Sequence, residues 1–592
     1  MNARRYLALF LCLGACFVLS GCMLTQNPDA SSGAVENAAT AVPVAKATVT
    51  DINSITLQDD PQLYSRYDPL SVVHFYVTVR QGTPADGTNH TFAEVNSYVN
   101  LQSMTNVQKI CANAIVQIGN EIGPIPGEIG FGATEPNATI NVRGRTSTTA
   151  AQKSYRLSFF DNAGLWRGQR DIALSKHPND PTRLRNALYF RFLQDVPGMV
   201  SLRTQFVHLY IKDETSTPAA ESFVDYGLFT QVELPNNRFL RNHGLSRDSH
   251  LYKANMFEFF RYPEVLKLAT DPTYDLAAFS AVLEPKINED HEKLLAMLDA
   301  VNDYDQPIEA VVEKYFDMEN LTSFLAYNML MGNVDTNTQN FFLYNPVNSD
   351  RWYFICWDGD GSLAYSEFET RGEEWPYGEW ARGISNYWGE VLFARLLRVD
   401  HYRDLLSQKM ELLHNTITPA RLAQQIAQYR TVVDPFTTRM PDAIHMQMEH
   451  KQRELVYQRM ANDVEIGYQG FRTSLQKPMP FFLGEAKAEN GQLQLHWDSA
   501  YDFTGKFVRY TVELATDWSF APETIVWKNV PTLELSAATD LPLPGMYFWR
   551  VIATNESGYS QSAFDFFESS TGRHPGMRRF TVDANGTVNN LQ

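Results

Sequence analysis

Apolar positions along the chain fall into three textures, each predicting a different kind of element. Residues 72–79 and 138–143 are dense in β-branched and aromatic side chains and predict strands. Residues 152–159 alternate apolar and polar, predicting a strand that carries Lys153. Stretches 204–211 and 226–234 predict two more strands, the last closing on Glu233-Leu234-Pro235. Between them 181–195 predicts a helix, with Pro181 near its start and Pro197-Gly198 at its end. Helical spacing then takes over across 290–301, 308–316 and 318–331, and again across 389–410 and 419–429, with a charged amphipathic stretch over 445–466. After Lys477-Pro478-Met479-Pro480 the texture changes to short alternating runs: Leu493/Leu495/Trp497, Tyr510/Val512/Leu514 and Tyr547/Trp549/Val551. These predict an all-β sandwich.

One stretch interrupts the helical middle. Residues 333–362 offer Asp335, Asn340, the apolar run 341–344, a polar turn, a second apolar run 352–357, and then Asp358-Gly359-Asp360. Hairpin pairing of the two runs brings the acid-bearing loops to the same end of the sheet. Oxygen ligands gathered there suit a hard cation such as Mg²⁺, which in turn suits a nucleotide. Taken singly, each residue has a plainer explanation, since Asp-Gly is a common hairpin turn and a strand lysine is commonly a solvated one. Their order is more informative: a strand lysine, a helix, a strand ending in a polar segment, helices, Asp-x4-Asn, two strands, Asp-Gly. Protein kinases set out their lysine, catalytic-loop acid, asparagine and metal-binding acid in that order. A calcium loop is the rival, with Asp358, Asp360, Ser362 and Glu369 at EF-hand spacing. It is opposed by Leu363, which stands where that loop needs glycine, and by the strand that precedes it.

Composition narrows the field. The 592 residues are 44% hydrophobic and 12% aromatic, enough for several packed domains and inconsistent with wholesale disorder. A formal net charge of −18 argues against non-specific nucleic-acid binding, which needs clustered Lys and Arg. At the N-terminus Arg4 and Arg5 precede an apolar run, 6–19, too short for a confident membrane span, followed by Ser20-Gly21-Cys22: a secretory pattern. Leu19-Ser20-Gly21-Cys22 resembles a bacterial lipobox. That implies a lipid on Cys22, attachment to the cell envelope and, in a Gram-negative host, the outer membrane, because Met23 follows rather than Asp. Residues 23–67 are expected to be a flexible tether. Once the leader and Cys22 are set aside, Cys111 and Cys356 remain, either as one disulfide or as buried thiols, and no Cys/His spacing supports zinc.

Four motifs follow one another in a telling order. They are Arg143-Gly144 and Ser147 with Lys153-Ser154-Tyr155; Tyr226-Gly227-Leu228-Phe229-Thr230-Gln231-Val232-Glu233; Leu251-Tyr252-Lys253; and Asp335, Asn340, Tyr344 with Trp357-Asp358-Gly359-Asp360. Together they resemble the CotH-type proteins, atypical kinases first described on spore coats, over about residues 68–470. The resemblance implies an α+β, two-lobed, atypical protein-kinase-like domain over 68–475 that uses ATP with Mg²⁺ or Mn²⁺. It implies Asp335 as the catalytic-loop acid, Asn340 and Asp358 as metal ligands, and Lys153 as the phosphate lysine. Arg143 would assist at phosphate, the segment around Glu233 would line the adenine pocket, and Asp360 is either a third metal ligand or a turn residue. This chain departs from the pattern at Arg145-Thr146 and in the single lysine of Gln152-Lys153. Its 181–195 helix carries Arg183, Arg185 and Arg191, with only Asp195 as an acid to pair with a lysine.

The run Leu543-Pro544-Gly545-Met546-Tyr547-Phe548-Trp549-Arg550-Val551, with Trp497, resembles a fibronectin type III domain over 480–568, leaving 569–592 as a loose tail. The expectation is an exported, lipid-anchored kinase transferring the ATP γ-phosphoryl group to Ser or Thr of a protein. The alternative is a cell-surface binding or assembly lipoprotein that uses the same fold as a scaffold for a partner.

Overall fold

The computed structural model describes residues 57, 59–100, 110–373, 375–570 and 572–591. The leader 1–22, the lipidation site Cys22 and most of the tether lie outside the described residues. Two compact units emerge, one of residues 57–373 with 390–469, the other of 375–389 with 470–591.

The first unit begins with α1 (Gln62–Ser65) and a sheet of eight strands: β1 (Val72–Arg80), β2 (Cys111–Asn120), β3 (Gly123–Pro124), β4 (Ala138–Arg143), β5 (Ser154–Phe159), β6 (Asp171–Ser175), β7 (Thr204–Asp213) and β8 (Val224–Val232). Their order is β1-β7-β8-β6-β5-β4-β2-β3, and β1 also pairs with β2 from His74–Gly119 to Arg80–Asn113. Seven strands therefore close into a barrel, in which only β1 and β7 run parallel. Alternate residues point inward: Phe75, Val77 and Val79 from β1, Ala114 and Val116 from β2, Tyr155, Leu157 and Phe159 from β5. A barrel of this size is filled by its own side chains. Closure also removes the free edges that an open sheet would present.

After β1 and again before β7 the chain makes two short helical excursions. α2 (Phe92–Ser97) starts at a capping box in which Thr91 and Glu94 satisfy each other's backbone N–H. α3 (Arg185–Leu193) follows β6 and is the helix expected over 181–195, but it begins later than Pro181 suggested. The Asp180 carboxylate accepts from Thr182 N, from the Thr182 hydroxyl and from Arg185 N, so residues 180–184 form a turn with Arg183 at φ 59° before the helix starts. Lys153 likewise stands just before β5, not within it.

Beyond the barrel come α4 (Asn237–Asn242), β9 (Ser249–Ala254), α5 (Leu276–Val282) and β10 (Leu283–Pro285). Three helices, α6 (Glu292–Asn302), α7 (Ile308–Tyr315) and α8 (Met318–Leu330), then run into the hairpin of β11 (Phe341–Pro346) and β12 (Tyr353–Cys356). These strands form a second antiparallel sheet ordered β10-β9-β11-β12. Every residue of α8 from Asn320 to Leu330 is buried, so the helix is packed on all sides. Helices α9 (Tyr365–Arg371), α10 (Val391–Leu397), α11 (Asp400–Thr416), α12 (Pro419–Thr437), α13 (His450–Met460) and α14 (Asp463–Ser474) complete the α-helical part. Cys111 on β2 and Cys356 on β12 are not joined in a disulfide, and the second is buried.

The tether expected to reach residue 67 ends earlier. Leu57 and Leu63 are buried, the Tyr64 hydroxyl donates to Ser201 O at 2.9 Å, and Asp59 Oδ1 lies 3.0 Å from His243 Nδ1. Two apolar residues and one acid are enough to dock this segment, and the sparse pattern concealed them.

In the second unit a sheet of β13 (Lys487–Glu489), β14 (Gln492–His496) and β17 (Ser536–Asp540) shares one core with a larger sheet. The larger one contains β15 (Val508–Ala515), β16 (Ile525–Lys528), β18 (Gly545–Asn555) and β19 (Ser560–Ser562). Trp497 and Trp549 are buried in that core. The residues beyond Ser569 are not a loose tail. After the hairpin of β20 (Phe566–Ser569) and β21 (Gly572–Pro575), β22 (Met577–Val582) pairs with β18 and β23 (Val588–Leu591) pairs with β22. Phe580 and Val582 enter the core from β22. Arg578 and Arg579 made the stretch look solvated, although Arg578 pairs with Asp565 at 2.6 Å.

Candidate active site

The β11–β12 hairpin sets the site. Phe341 stands opposite Cys356, and Trp357 N donates to Asn340 O at 3.0 Å, so the 333–340 loop and the 358–361 turn leave the sheet side by side. Asp335 sits in a 3-10 turn, Val334–Thr336, and its carboxylate accepts from Gln339 Nε2 and, at 2.6 Å, from Asn340 Nδ2. With its amide hydrogens spent on Asp335, Asn340 keeps Oδ1 as its free acceptor. Asn340 and Asp358 both adopt left-handed backbone, at φ 60° and 54°. Such strain persists where surrounding structure enforces it, commonly at working sites.

The acidic turn is held from behind by α3. A Cβ on Gly359 would meet Tyr189 ring carbons at 2.2 Å, so only glycine lets the turn lie on this helix. Gly359 N donates to Asn186 Oδ1 at 3.1 Å. That leaves the Asn186 amide to donate to His177 Nε2 at 3.3 Å, and His177 then carries its proton on Nδ1, 3.2 Å from Asp360 Oδ2. Asp360 is thus tied to the protein, whereas the Asp358 carboxylate accepts no hydrogen bond and has no ion pair among the described residues.

Electrostatics separates the three acids. Burial foremost, with the charges of Asp358 and Asp360 added, pushes Asp335 up to about 8 against its two amide donors. Burial and the neighbouring Asp360 raise Asp358. Burial also works against the charge of Asp360, but the bond from His177 and the charges of Arg185 and Arg143 hold it below the usual carboxylate range. The cations acting on these acids are Arg143 and Lys253 at Asp358, and Arg145 at Asp335. Arg143 ends β4, donates to Ser175 Oγ and lies 5.8 Å over the Trp357 ring. Lys253 lies on β9 beside Phe342; burial foremost, then repulsion from Lys286, lowers it to about 8.

Five of the residues singled out from sequence therefore come together: Asp335, Asn340, Asp358, Asp360 and Arg143. Two do not. Lys153 donates to Thr148 O within its own loop, and no carboxylate acts on it. Glu233, expected beside a nucleotide base, is enclosed by Arg203, by His243 at 3.0 Å and by Asn242, and these donors hold it down to about 2 against the burial that opposes its charge. Its carboxylate has no capacity left for a ligand. The helix that offered no acid for a lysine uses Arg185 instead, paired with Glu367 at 2.6 Å. A different lysine, Lys176 at the end of β6, is buried against Asp442 at 2.6 Å. Asp442 fits because Gly227 has no side chain: a Cβ there would stand 2.2 Å from its carboxylate.

Lys253, Arg145 and His177 were missed as site residues. Lys253 lay inside the quoted Leu-Tyr-Lys motif and Arg145 inside the basic turn, but nothing in a one-dimensional pattern says that either faces an acid. A cavity of about 310 Å³ opens beside the 144–153 loop, lined among others by Thr146, Thr149, Gln152, Asn179, Arg183 and His445. None of the acids lines it, so the chemistry is assigned to the acid cluster and not to this cavity.

The cluster's donor set can be tested against a hard cation. Its atoms are oxygens, the half-buried Asp358 carboxylate has no hydrogen bond or ion pair among the described residues, and Asp335 is raised, the state a cation would relieve. Among the described residues no three His, Cys, Asp or Glu side chains converge to hold an ion by themselves. That suits Mg²⁺, which keeps water and takes one or two carboxylates plus substrate phosphate, and it disfavours a calcium cage. Glu369 of the calcium reading is instead placed 3.4 Å from Arg459.

A family model described as CotH kinase protein matches residues 140–463. Inner spore coat protein H of Bacillus subtilis (strain 168) is 22% identical over 291 residues, which cover 49% of this chain and 70% of that relative. A solved structure described as "Structure of FN3tt mut" is 22% identical, with 15% of this chain and 96% of that one covered at a TM-score of 0.11.

Proposed function

This chain belongs to the CotH kinase protein family, and from that premise we propose that it is a protein kinase dependent on Mg²⁺ or Mn²⁺, passing the γ-phosphoryl group of ATP to Ser or Thr of a protein. The observation that carries the reading is the pairing of Asp335 with Asp358 at one end of the β11–β12 hairpin, the first hydrogen-bonded and raised, the second without any protein partner. In this reading the barrel and the part built on the second sheet act as the two lobes of a kinase-like domain. The second unit is a fibronectin type III-like module. Export and a lipid on Cys22 place the enzyme at the cell envelope. No helix among the described residues is long and apolar enough to cross a membrane, and a lipid anchor requires none.

Each residue then has one task. Asp358 and Asn340 Oδ1 would hold the cation, with Asp360 fixed by His177 close by; the cation supplies neutralisation of the phosphate oxygens. Arg143, Arg145 and Lys253 draw the phosphates to the hairpin end and offset the charge that spreads over the transferred group. Asp335, oriented by Gln339 and Asn340, takes the proton of the acceptor hydroxyl as that oxygen bonds to the γ-phosphorus and the bridge to ADP breaks. A base whose affinity for a proton is raised toward neutrality is well matched to that transfer.

The test is label transfer from ATP in the presence of Mg²⁺ or Mn²⁺, comparing the wild type with Asp335→Ala and Asp358→Ala. Equal incorporation by all three proteins defeats the assignment. A wild type that binds no nucleotide would favour the scaffold reading.

A further inference from the structure

Behind the 333–340 loop, two glutamates meet in the core without a cation. Glu258 and Glu390 are 5% and 3% exposed. Three segments converge on them: Phe257 N donates to Thr338 O at 2.8 Å, Val391 N donates to Glu258 O at 3.0 Å, and the Asn337 side chain is hydrogen-bonded to Glu390. Glu258 accepts from the Tyr262 hydroxyl at 2.6 Å, whereas Glu390 Oε2 has no partner. The segment around Glu258 holds two bulky residues, Phe259 and Tyr262, in left-handed backbone at φ 61° and 41°, a cost kept only where the surroundings dictate it.

The groups facing these carboxyls are each other, Tyr262 from the same segment and Asn337 from the loop. No lysine, arginine or histidine among the described residues acts on either. A carboxyl buried with few donors keeps its proton, because its charged form suffers desolvation, and a second acid nearby adds repulsion. Burial raises both, and the presence of Glu258 raises Glu390 further.

We propose that this pair of buried glutamates retains a proton at neutral pH, and that the neutralised pair is a positioning element that holds Asn337 and thereby sets the loop presenting Asp335 and Asn340. The proposal deepens the reading of that loop as the working site and rests on it. The test measures Mg²⁺ binding by calorimetry and thermal unfolding from mildly acidic to alkaline pH, on the full chain. It uses the wild type, Glu390→Gln, Glu258→Gln and Glu390→Ala. Glu390→Gln, neutral at every pH, is expected to match the wild type near neutrality. As the wild-type pair gives up its proton at alkaline pH, wild-type affinity falls about tenfold relative to the Gln variant for each pH unit beyond that point. Glu390→Ala is expected to bind Mg²⁺ weakly throughout, and the Gln variant to restore binding. If the Ala variant does not fold, Glu258→Gln provides the same comparison of pH profiles.

Superimposable profiles for the wild type and both Gln variants overturn the proposal. So does a divalent ion found by elemental analysis at one per chain in the wild type and absent from Glu258→Gln, since the pair would then be a metal site. A wild type that shows the expected binding profiles but transfers no phosphate supports the positioning pair while removing the kinase reading.

Discussion

Two regions of the first unit bury carboxylates in opposite ways. At the barrel's end Glu233 is surrounded by Arg203, His243 and Asn242, and those donors hold it down to about 2. At the hairpin's end Asp335 and Asp358 have few partners and are raised, Asp335 to about 8. Glu233 is fully enclosed and the two aspartates half-buried, yet burial opposes the charge of all three; the number of donors supplied separates them. A saturated carboxylate is finished as structure. An unsaturated one retains the capacity to take a proton or a cation, and that contrast reassigns Glu233 to architecture while leaving Asp335 and Asp358 for chemistry.

Several substitutions can break or sharpen the contrast. The largest effect belongs to Asp335→Asn and Asp358→Asn, each expected to lower phosphoryl transfer about a thousandfold. Urea unfolding should show both variants at least as stable as the wild type, because a raised buried acid opposes folding. Glu233→Gln should do the reverse. Removing one member of a buried ionic group costs about 3 kcal/mol of unfolding free energy, and the folded fraction should keep its Michaelis constant for ATP.

The pH dependences should also run in opposite directions. Asp335 is raised, so the folded chain binds more protons than the unfolded one, and stability falls as pH rises from about 4 through about 8. Glu233 is depressed, and its contribution is present above about 4.5 and lost as pH falls through about 2. His243 is raised to about 9 by its bonds to Asp59 and Glu233, which outweigh its burial. Its contribution is full below about 6.5 and lost as pH rises through about 9. Mg²⁺ binding at the acid cluster should therefore release protons, and affinity should rise about fivefold between pH 7 and 8 as Asp335 ionises; calorimetry in two buffers of different ionisation enthalpy checks it. The smallest effects separate the lysines. Lys253→Met is expected to raise the Michaelis constant for ATP about tenfold, and Lys153→Met to change it less than about twofold.

The sequence foretold local periodicity better than closure or partnership. The strands at 72–79 and 152–159 were visible because alternate residues face a barrel interior, and the 341–357 hairpin because its turn is short. That β1 pairs with β2 and completes a barrel is a long-range fact with no local signature. Asp335, Asn340 and Asp358 were legible through their order around a hairpin, which fixes where they end up. Lys253 was not, because it reaches Asp358 only through the pairing of β9 with β11. Glu233 misled for a related reason: its partners Arg203 and His243 come from two stretches on either side of it. Residues 577–582 looked like a tail because two arginines masked an alternation that buries Phe580 and Val582.

The docking of residues 57–66 has a mechanical side. Tyr64, Asp59 and His243 join the segment ahead of β1 to the Glu233–Arg203 group. A pull transmitted from the N-terminal side of the chain would load these few bonds before it reached any strand of the barrel. The segment is a fuse: it can give way while the hairpin and its acids, farther along the chain, stay unstretched.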